Sequence, residues 1–369
     1  MSRLEELIAE LCPDGVEYKQ LGDVCKIETG KLNANAATEN GKYLFFTTAK
    51  EVSRIDRFRW DTEALLIAGN ANVGDVKHYI GKFEAYQRTY VLTDFNESIS
   101  VRFLYYVLCN NLKSYLNTHK NEAAMTYIVL GTLQNFSIPI PPLPVQREIV
   151  RILDIFTNFY HELNEELELR KRQFSAYSSL LFLECKEEST ATIDDVCLVE
   201  KGKTPIQKAI PGEYPMVVTT TERKTSVDFQ FEEPSVCIPL VSSRGHGVAS
   251  LNHVYYQEGR FALGNILCAL IPKNKNHLLA KYLYYYFEQT KDYTLVPLMK
   301  GGANVALRID DILKVKIPVP SVDKQKKIVR ILQVFEEYCN TVLPSEIAAQ
   351  QKQYEYYRDK LLNFKPLAS

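Results

Sequence analysis

Charge of one sign and long apolar runs are both missing from this sequence. Forty-four lysines and arginines are balanced by 45 aspartates and glutamates, for a formal net charge of −1, which argues against a globally basic nucleic-acid-binding protein. No apolar run approaches the ~18 residues of a membrane-spanning helix, and the opening MSRLEELIAEL is acidic and amphipathic rather than a secretory signal. We therefore expect a cytoplasmic protein without a membrane segment, in which any DNA contact depends on local basic patches or on a partner.

Motifs for catalysis and metal binding are also absent from the sequence. The eight cysteines are scattered with no Cys-x-x-Cys pair, so we expect reduced thiols rather than disulfides or a zinc site. There is no Gly-x-x-x-x-Gly-Lys-Ser/Thr, Gly-x-Gly-x-x-Gly, Asn-Pro-Pro-aromatic or nuclease-type acidic motif, and the six histidines lack metal-ligand spacing. These absences favour a binding protein with no catalytic residue, metal or cofactor of its own.

What the sequence does contain is a long internal repeat. SIPIPPLPVQREIVRIL begins at Ser137 and KIPVPSVDKQKKIVRIL begins 179 positions later at Lys316, and the same spacing aligns RFLYYV from Arg102 with KYLYYY from Lys281. Upstream, LGDVCKIETGK from Leu21 matches IDDVCLVEKGK. The spacing drifts between 171 and 180 residues along the chain, as small loop insertions between two copies would produce. The chain is therefore predicted to be a duplication.

Each copy ends in a predicted amphipathic helix. Apolar residues recur in steps of three and four after Val145 and again from Ile328, which is the pattern of a coiled-coil seam. Three prolines, the last of them Pro144, end the preceding strand and set the start of the first helix. That helix, of about 38 residues, would span roughly 57 Å. Pro344 lies inside the second helical stretch and predicts a kink or break there, with Ser345 as a local cap.

The order of elements along the chain predicts how these helices pair. The first helix leaves copy 1 and leads to copy 2, and the second must run back, so we expect an antiparallel pair and a pseudo-two-fold relation between the copies. Two independent domains with unpaired helices are the less favoured alternative, because each helix would expose a wide apolar face. A short N-terminal helix, with a Ser2-x-x-Glu5 capping box and a stop at Pro13-Asp14-Gly15, is expected near the end of the second helix.

The globular part of each copy mixes short strands with helices. Strands are predicted at 43–48, 64–69 and 88–93 in copy 1 and at 214–220, 235–241 and 265–271 in copy 2, with a helix at 101–116. The fold class is therefore α+β: two homologous globular α/β domains joined by two long antiparallel helices in a coiled coil. The predicted segments are 1–144 and 185–322 for the domains and 145–184 and 323–369 for the helices.

Polar turns that follow a strand in each copy are the predicted binding sites, because loops usually carry binding residues. Such turns occur at 69–74 and 242–247. Asparagine can pair with adenine and arginine with guanine in the major groove, and nearby basic side chains can position phosphates. Solvated turns without a partner are the alternative, and the threonine runs equally fit edge strands. The predicted DNA-binding residues are Thr47, Thr48, Asn70, Asn72, Lys77, His78, Arg88, Lys203, Thr219, Thr220, Arg223, Lys224, Ser243, Arg244 and His246.

The duplicated signature resembles the DNA-specificity subunit of type I restriction-modification systems. The resemblance rests on Ile-Pro-x-Pro, the glutamine and Ile-Val-Arg-Ile-Leu at 138–153 and 317–332, together with the helices that follow them. The opening PDGVEYKQLGDV at 13–24 and the glycine turns add to it, so that it covers essentially the whole chain.

This resemblance implies a non-catalytic subunit in which each globular copy is a target recognition domain for one half of a split, asymmetric site in double-stranded DNA. It also implies that the helices dock two methyltransferase subunits, with restriction subunits joining the complex and with methyl donor, ATP and Mg on those partners. Domains held apart by roughly 57 Å of helix exceed one duplex turn of ~34 Å, which predicts an unread spacer. The implied docking residues on the helices are Gln146, Arg151, Gln325 and Arg330.

A protein-interaction scaffold, with two homologous binding modules bridged by a coiled coil, is the alternative interpretation. The absence of a neighbouring methyltransferase gene would favour it. A self-sufficient nuclease or methyltransferase would require a catalytic motif that the sequence lacks.

Overall fold

The computed structural model of the chain describes residues 3–118, 127–185, 187–220, 222, 224–244 and 247–367. It divides into two compact units. Unit 1 comprises Met1–Glu162 and Ile347–Ser369, and unit 2 comprises Leu163–Glu346. Each unit therefore contains one globular copy together with part of each long helical stretch.

Among the described residues, copy 1 is built from short strands, one long hairpin and four helices before the first long helix. Its elements are α1 (Arg3–Leu11), β1 (Glu17–Gln20), α2 (Leu21–Val24), β2 (Lys26–Thr29), β3 (Tyr43–Phe46), β4 (Ser53–Ile55), β5 (Trp60–Ala68), β6 (Val76–Ala85), β7 (Thr89–Thr93), α3 (Val101–Thr118), α4 (Leu130–Gln134), β8 (Ser137–Ile140) and α5 (Leu143–Leu183), with a 3-10 turn at Ala34–Ala36.

Copy 2 repeats this order without a counterpart of α1. Its elements are β9 (Thr190–Thr192), α6 (Ile193–Val196), β10 (Cys197–Lys201), β11 (Tyr214–Val217), β12 (Lys224–Ser226), β13 (Ser235–Pro239), β14 (Tyr255–Gln257), β15 (Ala262–Leu263), β16 (Leu267–Pro272), α7 (Ala280–Thr294), α8 (Ile309–Leu313), β17 (Lys316–Pro318), α9 (Val322–Glu337) and α10 (Leu343–Leu361), with 3-10 turns at Ile206–Lys208 and Val296–Leu298.

The two copies share one sheet topology. Copy 1 has a six-stranded sheet in the order β2-β7-β5-β6-β3-β4, in which β3 and β6 are parallel and the other neighbours antiparallel. Copy 2 has β10-β16-β13-β14 and β12-β11-β15, so the counterpart of β6 is broken into β14 and β15. The parallel pairing is kept between β11 and β15. The predicted duplication and the predicted strands are confirmed.

Helix α3 and the central strand β5 form the core of copy 1. Phe103 and Val107 of α3 and Leu65 and Ile67 of β5 are all fully buried in one cluster. Apolar residues spaced three to four apart lie on one face of a helix, and apolar residues spaced two apart lie on one face of a strand. The apolar faces of α3 and β5 therefore pack against each other. Copy 2 buries Tyr282 and Phe287 of α7 in the same way.

The long helices pair antiparallel inside each unit. In unit 1 the rings of Phe156 and Tyr357 stack at 5.5 Å. In unit 2 the Tyr338 hydroxyl donates to Glu166 Oε1 at 3.3 Å, and the ring centres of Tyr177 and Phe335 are 6.1 Å apart. From Glu166 to Tyr177 the residue number rises along the first long helix, while the contacting residue in the second falls from Tyr338 to Phe335. The helices therefore run antiparallel, as predicted. Helix α5 has 41 residues, three more than expected, because Pro144 lies within its first turn.

The predicted break near Pro344 is present, but its form differs from expectation. Helix α9 continues into a π-helical segment, Tyr338–Val342, before α10 begins. Proline has no N–H and its ring crowds the carbonyl four residues earlier, so a widened turn accommodates it. The prediction that Ser345 caps a new helix is wrong, because Ser345 already lies inside α10.

The N-terminal helix α1 packs in unit 1 near the end of the second long helix, as predicted, and also against the first long helix. Leu4 and Ile8 of α1 line a cavity of about 530 Å³ together with Ile152, Tyr357 and Leu361. Ser2 of the predicted capping box lies outside the described residues. In the part of the chain that the structure describes, none of the helices is long and apolar enough to cross a membrane.

Candidate nucleic-acid interface

The turn between β5 and β6 brings three of the predicted DNA-binding residues together. Asn72 Nδ2 donates to the carbonyl of Thr48 at 2.8 Å, and Lys77 Nζ donates to the carbonyl of Ala49 at 2.7 Å. The turn is tight, with a positive φ of 54° at Ala71, a conformation that non-glycine residues adopt rarely. The segment after β3 is therefore tied to the turn that follows β5.

These contacts also limit what the three side chains can do. Thr48 is buried, and partial burial lowers the pKa of the Lys77 ammonium from its ordinary value. Thr47 uses its hydroxyl to accept from the Ala49 N–H at 3.2 Å. Asn72 and Thr47 thus stabilise the shape of the turn with the side-chain groups predicted to contact bases, whereas Thr48 contributes its backbone carbonyl.

His78 lies away from this turn. Its Nε2 is 2.8 Å from Glu63 Oε1, and its ring packs 6.0 Å from that of Tyr105 on α3. The side chain is 15% exposed. The structure thus places His78 between the hairpin and α3, where its polar atom already has a partner.

Arg88 lines a polar cavity at the end of β5. The cavity measures about 280 Å³ and is lined by Thr29, Gly69, Gln87, Arg88, Tyr90 and Ile128. Arg88 is exposed, and its guanidinium carbon lies 5.5 Å from the centre of the Tyr127 ring. Asn70 forms an isolated bridge with Tyr127. Its Oδ1 is buried and has no hydrogen-bond partner among the described residues.

Ser243 and Arg244 occupy the corresponding loop of unit 2. Ser243 Oγ donates to the carbonyl of Ser250 at 3.0 Å, and the Arg244 N–H donates to Ser242 Oγ at 3.2 Å. These bonds close the loop and leave the Arg244 side chain exposed. The predicted site residue His246 lies outside the described residues.

The other predicted residues of unit 2 lie on its surface around a second cavity. Thr220 and Lys224 line this cavity of about 300 Å³ with Tyr255 and Tyr256, and Thr220 Oγ1 donates to the carbonyl of Glu222 at 3.1 Å. Thr219 and Lys203 are exposed, and the Lys203 N–H donates to Gln230 Oε1 at 3.0 Å. Arg223 is outside the described residues.

The two turns align differently in the structure than in the sequence comparison. Asn70 bridges Tyr127, and Val241 forms the same antiparallel bridge with Ala306. The counterpart of Asn70 is therefore Val241, two residues earlier than the alignment of the glycine turns would place it. Sequence reasoning missed Tyr127 as a neighbour of Arg88, because only the folded backbone brings these residues together.

The signature glutamines are part of the fold and not of its surface. Gln146 and Gln325 are both fully buried. Gln146 Oε1 accepts from the Ser100 N–H at 2.8 Å, while its Nε2 donates to the carbonyls of Ser98 and Pro141 at 2.8 and 2.7 Å. The structure thus assigns the glutamines to the junction between the last strand and the long helix, where a partner subunit cannot touch them.

Arg151 and Arg330 are exposed on the helices, in different charge surroundings. Arg151 Nη2 lies 2.7 Å from Glu148 Oε1, and this hydrogen bond holds the pKa of the Glu148 carboxyl below its usual value. At the position of Glu148, copy 2 has Lys327, which is exposed. Arg330 therefore belongs to a basic surface, whereas Arg151 is paired with an acid.

The described residues contain no cluster of three or more His, Cys, Asp or Glu side chains that could hold a metal ion. All eight cysteines are free thiols, and seven of them are buried. Burial raises the pKa of the Cys25 and Cys197 thiols to about 12. Such thiols are protonated at neutral pH, which makes them poor nucleophiles and metal ligands.

Comparison with known proteins identifies the family. The profile described as "Type I restriction modification DNA specificity domain" matches residues 13–169 and again 186–349. The chain belongs to this type I specificity family. The second match supports the duplication independently of the shared sheet topology, and the family does not favour the scaffold alternative.

Relatives of the type I specificity family match over most of the chain. A putative type I restriction enzyme specificity subunit of Haemophilus influenzae is 30% identical and covers 95% of this chain and 96% of its own length. The EcoR124I/EcoR124II specificity subunit of Escherichia coli is 31% identical over 68% of this chain and 69% of its own length. The solved S subunit from M. genitalium has a TM-score of 0.59 at 17% identity and covers 94% of this chain and 96% of its own. This last likeness shows a shared fold.

Proposed function

We propose that this chain is the DNA-specificity subunit of a type I restriction-modification complex, and that its two units read the two halves of a split, asymmetric site. The observation that carries this proposal is that the two copies share one sheet topology but have different side chains at corresponding surface positions. Base sequence is read by side chains that reach base edges, whereas phosphate contacts position the protein. Two copies with the same backbone and different side chains are therefore suited to two different half-sites.

Corresponding positions show both kinds of residue. Exposed lysines, Lys31 and Lys203, follow the equivalent glycines Gly30 and Gly202 in the two copies, which suits a contact that both units make to phosphates. In the turn after β5 the copies differ: counted two residues on from the bridges of Asn70 and Val241, copy 1 has Asn72 where copy 2 has Ser243. The shared charge would position each unit, and the differing polar side chains would distinguish the half-sites.

Methyltransferase subunits, two per chain, are proposed to dock along the long helices, with restriction subunits completing a cytoplasmic complex. Apolar side chains on these helices support this, because Ile155, Leu169 and Val334 are 55%, 63% and 61% exposed and exposed apolar patches mark interaction sites. Arg151 and Arg330 lie on the same helices. Catalysis, together with the methyl donor, ATP and Mg, is assigned to the partner subunits.

A segment exchange tests this assignment. The chain is co-expressed with its methyltransferase subunit, and the methylated motif is determined by sequencing the modified DNA. Replacing residues 20–136 with the corresponding segment of a relative of different specificity should change one half of the motif and leave the other half and the spacer intact. A motif that stays the same in both halves, or changes in both, would contradict the proposal.

A further inference from the structure

In unit 1, Arg88 and Tyr127 are fixed by one backbone junction at the end of β5. The Gly69 N–H donates to the Arg88 carbonyl at 2.8 Å, and the Gly69 carbonyl accepts from the Ile128 N–H at 2.7 Å. Asn70 bridges Tyr127 directly. A Cβ atom on Gly69 would lie 2.5 Å from the Arg88 carbonyl oxygen, so in copy 1 a larger residue here would require the backbone to shift.

Unit 2 builds the same junction from other residues. The Leu240 N–H donates to the Ile266 carbonyl at 2.8 Å, and the Leu240 carbonyl accepts from the Leu307 N–H at 2.9 Å. Val241 bridges Ala306. These bonds define which residues correspond, independently of any sequence alignment.

The side chains at this junction are chemically opposite in the two copies. Copy 1 has polar side chains here, of which Arg88 and Tyr127 are exposed, and copy 2 is apolar. The corresponding pairs are Gly69 and Leu240, Asn70 and Val241, Arg88 and Ile266, Tyr90 and Cys268, and Tyr127 and Ala306. Because the backbone hydrogen bonds are the same with either set, the fold does not require the polar set of copy 1.

The polar set presents a supported arginine beside an open cavity. Arg88 is exposed, and its guanidinium carbon lies 5.5 Å from the ring centre of Tyr127, a residue that is 46% exposed. Within the described residues no carboxylate forms an ion pair with Arg88. A guanidinium above an aromatic face is attracted by the ring while its N–H groups stay available to a ligand.

We propose that Arg88, supported by Tyr127, recognises a guanine in the half-site read by unit 1, and that unit 2 makes no such contact. This inference rests on the proposed function. Guanine offers O6 and N7 to a bidentate arginine. Copy 2 has Ile266 at the position of Arg88, so this arginine does not make a phosphate contact that both units share. A contact that only one unit makes fits a base edge better than the DNA backbone.

The test measures binding of the complex of this chain with its methyltransferase subunit to duplexes that differ at one base pair at a time. Arg88→Lys keeps the charge but loses the planar fork, and Tyr127→Ala removes the support. Both should reduce discrimination at a single G·C position by about 5- to 150-fold. Arg59→Ala is the matched control, because Arg59 also lies over an aromatic ring in unit 1, 4.4 Å from the centre of Trp60, but is paired with Glu28.

The outcomes separate this inference from the proposed function. Specificity in the half-site of unit 2 should be unchanged, which shows that each variant is folded and assembled. If Arg88→Lys binds like the wild type while Arg88→Ala loses affinity equally for all sequences, Arg88 contacts a phosphate and the inference is overturned. Unchanged discrimination in all variants overturns it as well. If the wild-type complex itself shows no sequence preference, the proposed function fails.

Discussion

Replacing the buried glutamine at either strand-to-helix junction should destabilise its unit by the same amount. Gln325 repeats the bonding of Gln146 atom for atom: its Oε1 accepts from the Leu279 N–H at 2.9 Å, and its Nε2 donates to the carbonyls of His277 and Pro320, both at 2.8 Å. Both side chains are fully buried. The two substitutions therefore remove the same three bonds from equivalent surroundings.

The size of the effect follows from the groups left behind. Gln146→Ala strips one N–H and two carbonyls of their partner, and an unmade buried hydrogen bond costs about 1–3 kcal/mol. Water can reach some of these groups after the change, so we expect a loss of about 3–5 kcal/mol rather than the full sum. Gln325→Ala should fall in the same range.

Urea denaturation of the whole chain, followed by circular dichroism, measures this loss in the transition of the affected unit. Gln173→Ala on the exposed surface of α5 is the control and should change stability by less than about 0.5 kcal/mol. A loss below about 1 kcal/mol in either unit would refute the reasoning. So would a large loss in one unit and none in the other, because equivalent bonding must have equivalent energetics.

Two further changes have definite expected results. Gly30→Ala should lower the melting temperature markedly, because its Cβ would lie 1.9 Å from the Ala85 carbonyl oxygen, whereas Gly131→Ala meets nothing within 4 Å and should be neutral or stabilising. The raised pKa of the Cys197 thiol, about 12 against an ordinary 9.0, means that the protonated thiol favours the folded state fully below pH 9. Stability should then fall between about pH 9 and 12, and urea midpoints at pH 7.5 and 10.5 should show a smaller drop in Cys197→Ala.

Much of the fold could be predicted because each element predicted in one copy could be compared with the corresponding segment of the other copy. The Ile-Val-Arg-Ile-Leu signature located both long helices, and runs such as YLFF at β3 and CALI within β16 are strands because aromatic and branched residues fill a half-buried sheet. The break of the β6 counterpart into β14 and β15 could not be predicted. Gly259, with φ of 72°, lies between β14 and β15 in copy 2, whereas the corresponding strand β6 of copy 1 is continuous. Whether such a glycine forms a turn or a bulge within a strand depends on packing.

The candidate site was harder to predict than the fold. Arg88 and Tyr127 stand 39 positions apart, and only the junction at Gly69 brings them together. The sequence does not reveal whether a signature glutamine such as Gln146 faces a partner or the core. It therefore suggested a docking role, whereas the structure shows three hydrogen bonds within the protein. Comparing the two copies residue by residue after folding reveals what neither copy shows alone, namely which polar side chains the scaffold does not need.

The most direct test of the central claim is a variant in which both globular domains have the sequence of copy 1. Residues 193–315 are replaced by residues 21–136 of the same chain, and the methylated motif of the complex with its methyltransferase subunit is determined by sequencing. If each copy reads one half-site, the two halves of the new motif should contain the same bases, and one of them should be a half of the wild-type motif. A motif that remains asymmetric with both original halves would contradict the account.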